Sequence, residues 1–213
     1  MWQVHAVVAE GLYDLGWFFD GTCPTSSAMD TWTLLTECHR RLPKEAVFAC
    51  ATAAWLHGLN GSPTQPVDII MPPGSSIRSR RALTVRRSKL APREVTRIRD
   101  LPATTLHRTV RDIALFHPRL DAVAALDAAL CKKLTTKALL LMDPVTARGR
   151  RGARRLRHLI ELAEPAESPM ETRLRWLLLE ACLPRPQVQA ELREKDGTFL
   201  GRADLYYSPA HGL

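Results

Sequence analysis

Residues 167–207, ESPMETRLRWLLLEACLPRPQVQAELREKDGTFLGRADLYY, carry the clearest order of structural elements in the chain. Ser168 precedes Pro169 and Glu171, which is the pattern of a helix N-cap, a first-turn proline and a capping box. After two prolines, QVQAELR alternates as a strand, EKDG is a hairpin turn, and TFLGRADLYY returns as a second strand. A helix followed by an antiparallel hairpin predicts an α+β arrangement for this part of the chain.

The region upstream of this segment mixes helices with short strands. SAMDTWTLLTECHRR (27–41) predicts a helix, and EAVFACATAAWLHGLNG (45–61) is typical of a packed core helix, with a short strand at 46–49 as an addition. PVDIIMPPG, ALTVRRSKL and EVTRIRDLP read as strands separated by turn residues. TTLHRTVRDIALFHP, LDAVAALDAALCKKL and TTKALLLM follow as helices. We therefore expect an α+β fold with mixed helices and a small sheet in the middle of the chain.

The charge of the chain is distributed unevenly. Residues 1–67 have a net charge of −3, whereas the whole 213-residue chain has +8, so residues 68–213 carry +11. A basic region of this size favours an anionic partner, with nucleic acid ahead of a membrane or an acidic protein. An arginine-rich coding bias is the competing explanation, because charge asymmetry alone only suggests a partner.

The stretch RGRRGARRLRHLIELAEP (148–165) contains a dense group of arginines at the start of a predicted helix. Six of them lie within ten residues: Arg148, Arg150, Arg151, Arg154, Arg155 and Arg157. Because the N-terminal end of a helix disfavours cations, helix stability does not explain their position. They are candidate phosphate contacts for nucleic acid, and the alternative is a solvated arginine face that pairs with nearby glutamates.

The cysteines and the apolar runs indicate in which cellular compartment the protein is expected. Five scattered cysteines form no C-x-x-C pair and the histidines show no H-x-x-H spacing, so no metal motif is present and we expect reduced thiols. The N-terminal residues lack the basic region of a signal peptide, and the longest nearly apolar run is too short to cross a bilayer. We therefore expect a cytoplasmic protein without a membrane partner.

Residues 167–207 resemble the opening of a small Vsr-like nuclease domain of the PD-(D/E)XK superfamily. Upstream, the motifs ATAAWLHGL, MPPG, RRSKL, LPATTLHRTVRDIA, AVAALDAAL and RGRRGARRLR resemble the middle region of actinobacterial AbiEi-type antitoxins of type IV toxin–antitoxin systems, or transcriptional regulators. The resemblance spans about residues 46–207. It implies a poorly matched segment at 1–45 with a winged-helix remnant, an AbiEi-antitoxin-like middle domain at 46–163, and a nuclease domain at 164–213.

The nuclease resemblance implies a restriction-endonuclease-like fold, which the helix and hairpin would start, and a Mg²⁺ site made of carboxylates. Asp204 corresponds to the catalytic and metal-binding carboxylate of the first strand, and Glu171 to an acidic residue on the preceding helix. The alternatives are that Glu171 closes the capping box and that Asp204 bonds a turn amide. The strand that would supply a further carboxylate is missing before Leu213, the last residue. We therefore expect an incomplete, inactive site without a bound cofactor, and Mg²⁺ only if nuclease activity remains.

The resemblance implies a DNA-associated regulator or antitoxin-like protein that contacts DNA non-specifically through phosphates and has a cognate toxin as a further partner. We expect no enzymatic activity from the chain as given. Two alternatives stay open. One is a Mg²⁺-dependent DNA endonuclease that acts through Asp204 with ligands from a partner chain. The other is a truncated gene product without a function of its own.

Overall fold

The computed structural model describes residues 31–59, 66–142 and 152–208. The chain divides into two compact units, Met1–Thr109 and Val110–Leu213. The described residues form seven α-helices, a mixed five-stranded sheet and a two-stranded sheet, which confirms the predicted α+β class. Most of the predicted winged-helix remnant lies outside the described residues. The predicted domain boundaries after residues 45 and 163 stay predictions.

The first unit places two helices against a sheet. Helix α1 (Thr31–Arg41) lies in the segment 27–41 that the sequence predicted as a helix, and it buries Leu35 and Cys38. Strand β1 (Val47–Phe48) and helix α2 (Cys50–Leu56) lie in the segment predicted to combine a short strand with a core helix. Apolar side chains of both helices pack into the same buried cluster as those of the sheet. This cluster is the hydrophobic core of the first unit.

Four further strands complete the sheet of the first unit: β2 (Val67–Met71), β3 (Leu83–Arg87), β4 (Val95–Ile98) and β5 (Leu101–Thr104). Their order is β3-β2-β1-β5-β4, with β2 parallel to β3, β1 parallel to β5, and antiparallel pairs elsewhere. All five residues of β2 are buried, because this strand lies inside the sheet. Strands β3 and β4 are the two edges.

The sequence did not separate β5 from β4, because EVTRIRDLP was read as one strand that ends at Pro102, and proline is unusual in an interior strand. The sheet accommodates this proline because β1 is very short and pairs with β5 only between Phe48 and Ala103. The turn that joins β4 to β5 is made by Arg99 and Asp100, both with positive φ (45° and 66°). Two such residues are what a tight hairpin turn requires, although glycine and asparagine are the usual choices there.

The second unit is mainly helical. Helix α3 (Leu106–Phe116) contains the division between the units, and four helices follow it: α4 (Arg119–Cys131), α5 (Lys137–Met142), α6 (Ala153–Leu162) and α7 (Pro169–Glu180). The chain then forms an antiparallel hairpin of β6 (Gln187–Arg193) and β7 (Phe199–Tyr206). Each of these elements lies in a segment for which the sequence predicted it. Within the described ranges, every helix is too short or too polar to span a membrane.

Helix α7 buries polar side chains and exposes apolar ones. Its buried residues are Thr172 and Arg175. Met170, Leu174 and Leu177 are exposed to 66%, 50% and 61%. The helix packs against α4. The buried face of α7 is therefore the face that contacts a polar residue of α4, whereas its apolar side chains are exposed.

The cysteines in the described residues are free thiols. Cys38 and Cys50 are buried, and Cys182 is exposed. Burial raises the pKa of the Cys38 thiol to about 11, so this side chain is a neutral part of the core. Cys23 lies outside the described residues.

Candidate functional site

A buried ion pair fixes helix α7, which carries Glu171, against helix α4. Arg175 Nη2 donates to Asp127 Oδ2 at 2.5 Å, and the two side chains are 3% and 1% exposed. Arg175 Nη1 donates to the backbone oxygen of Leu162 at 2.6 Å, at the end of α6. One guanidinium therefore ties three helices of the second unit together.

The Asp127 carboxylate has hydrogen-bond partners on both oxygens. Thr172 Oγ1 donates to Oδ2 at 2.7 Å, and the backbone amide of Glu164 donates to Oδ1 at 2.8 Å. Burial raises the pKa of the Asp127 carboxyl, while Arg175, Thr172 and the Glu164 amide act against that shift. Because a buried charge is tolerated only when it is paired and hydrogen-bonded, this network defines one position of α7.

Glu171 lies in the first turn of α7 and takes part in its capping. Ser168 Oγ accepts a hydrogen bond from the Glu171 amide at 3.3 Å, as expected of an N-cap. The Glu171 carboxylate accepts in return from the amide of Glu167 at 3.1 Å, one residue before the cap. The same oxygen also accepts from Gln189 Nε2 on β6 at 3.0 Å. The carboxylate therefore joins the start of α7 to the hairpin.

Asp204 lies on β7 opposite Gln189. The register pairs Val188 with Leu205 and Ala190 with Ala203, which leaves Gln189 and Asp204 facing each other between these pairs. Gln189 Nε2 is 3.4 Å from Asp204 Oδ1, and Asp204 is exposed. One amide group therefore lies within reach of both carboxylates that the sequence put forward as catalytic.

Gln189 was missed by the sequence reasoning. Its backbone has a positive φ of 52°, which is uncommon for a residue other than glycine. Its side-chain oxygen is buried and has no hydrogen-bond partner among the described residues. The signal that could have found it is the hairpin register, since strands joined by the EKDG turn place Gln189 across from Asp204.

The arrangement of Glu171, Gln189 and Asp204 can be compared with what Mg²⁺ needs. Two carboxylates are suitable ligands, because Mg²⁺ takes hard oxygen donors in an octahedral shell. In this structure, however, the group directed at both carboxylates is an N–H donor and not another oxygen ligand. The three side chains as placed therefore do not fit a Mg²⁺ site, and the amide takes the position beside the carboxylates.

The predicted arginine group is only partly described by the structure. Arg148, Arg150 and Arg151 lie outside the described residues. Arg154 is exposed at the start of α6, where it is available to a partner. The other two have internal roles. The Arg155 guanidinium donates to the backbone oxygen of His117 at 2.6 Å, and Arg157 is half-buried and engaged in another interaction.

A second basic group, which the sequence reasoning did not single out, lies in the first unit. Residues 78–99 contain nine cations and a single acidic residue, Glu94. We call these cations the basic segment: Arg78, Arg80, Arg81, Arg86, Arg87, Lys89, Arg93, Arg97 and Arg99. All except Arg86 are exposed, and Arg86 is paired with Asp68. Counting charges over the whole β3–β4 region would have found the group, whereas dividing the region into separate strands concealed it.

The chain is similar to one protein family and to a solved structure. The family model of the AbiEi antitoxin C-terminal domain matches residues 46–162. No curated protein matches the chain. Among solved structures, the crystal structure of the RV2827C protein from Mycobacterium tuberculosis is similar, with 17% sequence identity and a TM-score of 0.46. That match covers 81% of this chain and 67% of the other. Because the family model covers more than half of its residues, the chain belongs to the AbiEi antitoxin C-terminal domain family.

Proposed function

We propose that the chain is an antitoxin-like regulator that associates with DNA through phosphate contacts. Membership of the AbiEi antitoxin C-terminal domain family supports the antitoxin-like role. The observation that carries the DNA-binding role is the basic segment, in which eight cations are exposed beside a single glutamate. Exposed arginines and lysines in such excess over acidic residues suit a phosphate backbone and do not by themselves read base sequence.

The test of DNA association is affinity for a labelled DNA duplex, measured by fluorescence anisotropy at two salt concentrations. Neutralising phosphates releases counterions, so log K is expected to fall linearly with log salt, by about 0.9 for each phosphate contacted. We expect the affinity to differ little between unrelated duplex sequences. Binding that does not respond to salt, or that is undetectable at low ionic strength, would contradict the proposal.

A cognate toxin is the further partner that we propose, and family membership is its support. Expression of the candidate toxin is expected to arrest growth, and co-expression of the chain is expected to relieve the arrest. A variant with a disrupted fold serves as the control for expression burden. Arrest that is unchanged by the chain would remove the antitoxin role and leave the DNA-binding role standing.

We further propose that the region at 164–213 is a nuclease-like domain without turnover. The Gln189 amide supports this view because its Nε2, an N–H donor, lies 3.0 Å from Glu171 and 3.4 Å from Asp204, on the side of the carboxylates where a shared cation would bind. The second candidate function is a Mg²⁺-dependent endonuclease with ligands from a partner chain. Its support is that Glu171 and Asp204 lie near the same amide, and it would require a partner chain to displace that amide when it adds its own ligands.

A plasmid-nicking assay separates these two candidates. The wild-type chain and the Asp204→Ala variant are incubated with supercoiled plasmid and Mg²⁺ or Mn²⁺. We expect the same background in both proteins. If the wild-type chain nicks the plasmid only with the metal, and Asp204→Ala does not nick it, the inactive domain is ruled out and the endonuclease function is supported.

A further inference from the structure

The first unit contains an open groove beside the start of the basic segment. Its volume is about 490 Å³. The lining residues are Arg41, Leu42, Ser76, Ile77, Arg78, Ser79, Arg80 and Leu83. Three of these are arginines, two are serines, three are apolar, and none is acidic. The groove therefore combines positive charge and hydroxyl groups with an apolar part.

The loop that forms most of this groove, residues 72–82 between β2 and β3, is fixed by its own hydrogen bonds. Ser79 Oγ accepts from the Val85 amide at 2.9 Å and donates to the Val85 oxygen at 3.3 Å. The hydroxyl therefore bonds both backbone groups of Val85, as a neighbouring strand would do. Arg87 donates to the backbone oxygens of Ser75 and Ile77, the latter at 2.6 Å. A loop held in this way pays little ordering entropy when a ligand binds.

The base of the loop is closed by a tight turn next to the arginines. The Arg80 amide donates to the Leu83 oxygen at 2.8 Å, and the Leu83 amide donates back to the Arg80 oxygen at 3.0 Å. This pair of bonds fixes the backbone that carries Arg78 and Arg80. Both side chains are exposed.

The charges of the groove favour an anion. Arg41 is paired with Glu37 at 2.6 Å across one helical turn, so its charge is partly compensated. Arg78 has no ion pair among the described residues, and no acidic residue occurs between 75 and 89. A guanidinium presents parallel N–H donors that match the oxygens of a phosphate, and the Ser76 hydroxyl adds a donor beside them.

We propose that this groove binds the phosphate group of a nucleotide, with the apolar residues Leu42, Ile77 and Leu83 against its sugar or base. The inference rests on the proposed DNA association and makes it more specific. The phosphate can belong to the backbone of a nucleic acid or to a free nucleotide, since the same donors recognise both.

Two double variants of the full chain test the groove, because each removes two positive charges. Arg78→Gln with Arg80→Gln changes the groove. Lys89→Gln with Arg93→Gln is the matched control, since both side chains are exposed, lie in the basic segment and are outside the lining. Thermal unfolding confirms that each variant is folded. Ser76→Glu is a third variant, which places a negative charge in the groove without removing an arginine.

Labelled duplex DNA at low salt is the first probe. We expect the groove pair to lose about tenfold more affinity than the control pair, with the slope of log K against log salt reduced by about two. Ser76→Glu is expected to weaken binding by a similar factor. Equal losses in the groove pair and the control pair would overturn the inference, although the DNA association itself would stand.

Adenosine monophosphate, titrated by calorimetry, is the second probe and separates the two sources of phosphate. If the wild-type chain fails to bind duplex DNA but binds the nucleotide, and the groove pair does not, the groove is a free-nucleotide site and the proposed DNA association is wrong. If neither probe binds, both proposals are wrong. Poly-glutamate is the competitor for the remaining case. The assay compares poly-glutamate with polyphosphate. If poly-glutamate displaces the DNA at the same concentration of negative charge as polyphosphate does, the groove binds acidic peptides and the inference is overturned.

Discussion

The apolar core of the first unit and the contact between α4 and α7 in the second unit are of different kinds. In the first, the interior is made of apolar side chains such as Leu35, Phe48 and Ile69, each at most 1% exposed. In the second, the contact that places α7 on α4 is an ion pair, Asp127 with Arg175, that is equally buried. Apolar contacts are non-directional and tolerate small displacements, whereas a hydrogen-bonded charge pair has one geometry. The difference shows that burial alone does not reveal which kind of contact fixes an element.

The largest expected effect comes from breaking the polar contact. Asp127→Ala leaves the Arg175 guanidinium buried without its counter-charge and removes the acceptor for Thr172. We expect a loss of about 3–5 kcal/mol in the free energy of unfolding, measured by urea denaturation. Asp121→Ala is the control, because this residue is exposed on the same helix. A loss no greater than that of the control would show that the pair does not hold the helix.

A double variant sharpens the same comparison. Asp127→Leu with Arg175→Met removes both charges and keeps apolar volume at the contact. Because the desolvation penalty disappears with the charges, we expect most of the stability lost in Asp127→Ala to return. The measurement is the same denaturation curve. Losses in the double variant as large as in Asp127→Ala would mean that the contact depends on shape and not on charge.

A core substitution in the first unit has a smaller expected effect. Ile69→Val removes one methylene-sized group from a fully buried strand position. We expect about 1 kcal/mol of destabilisation, since the sheet and helices around it relax only partly. Leu200→Ala is the control in urea denaturation, because Leu200 is 61% exposed and its removal should change the stability by less than about 0.5 kcal/mol. Equal losses would contradict an apolar core at Ile69.

The smallest expected effect is a pH dependence within the first unit. His57 Nε2 is hydrogen-bonded to the Thr104 oxygen at 2.8 Å. Burial lowers the pKa of His57 below its ordinary value of 6.5, against the opposing effect of that hydrogen bond. The unfolded chain therefore binds the proton more readily, and stability is expected to fall as the pH drops below about 6.5 and to level off once the folded form also protonates.

The His57 contribution is the difference between the wild-type chain and His57→Gln, measured by denaturation between pH 5 and pH 8. His158→Gln is the matched control, because His158 is exposed on α6. We expect the wild type to lose stability on acidification and His57→Gln to lose less. A pH dependence that is unchanged by His57→Gln would show that another group titrates.

Local signals predicted most of the elements, because caps, turns and periodicity act over a few neighbouring residues. The Ser168 N-cap, the hairpin around Gly197 and the strand that precedes α2 are examples. Strand β5 was not separated from β4 because Pro102 is tolerated only through the brief pairing of β1, which is a tertiary fact. The sequence also did not show which face of α7 is buried, because Asp127, which this face contacts, is distant in the sequence.

The candidate site was predictable to a smaller extent. The resemblance pointed to Glu171 and Asp204, and the structure brings both to the same amide. It did not point to Gln189, because a glutamine on an alternating strand has no local signature. The arginine run at 148–157 also gave no sign that Arg155 donates a hydrogen bond to the backbone oxygen of His117. Side-chain roles of this kind depend on neighbours that periodicity does not describe.

The pairing of Asp127 with Arg175 has a consequence for how this sequence can diverge. The two positions are 48 residues apart in the chain. A mutation at either one alone passes through an unstable intermediate, whereas simultaneous or rapidly successive changes at both do not. Lineages of this family that share the contact should therefore keep both residues or replace both, and chimaeric genes joined between the two positions should be viable only when the parents agree at both.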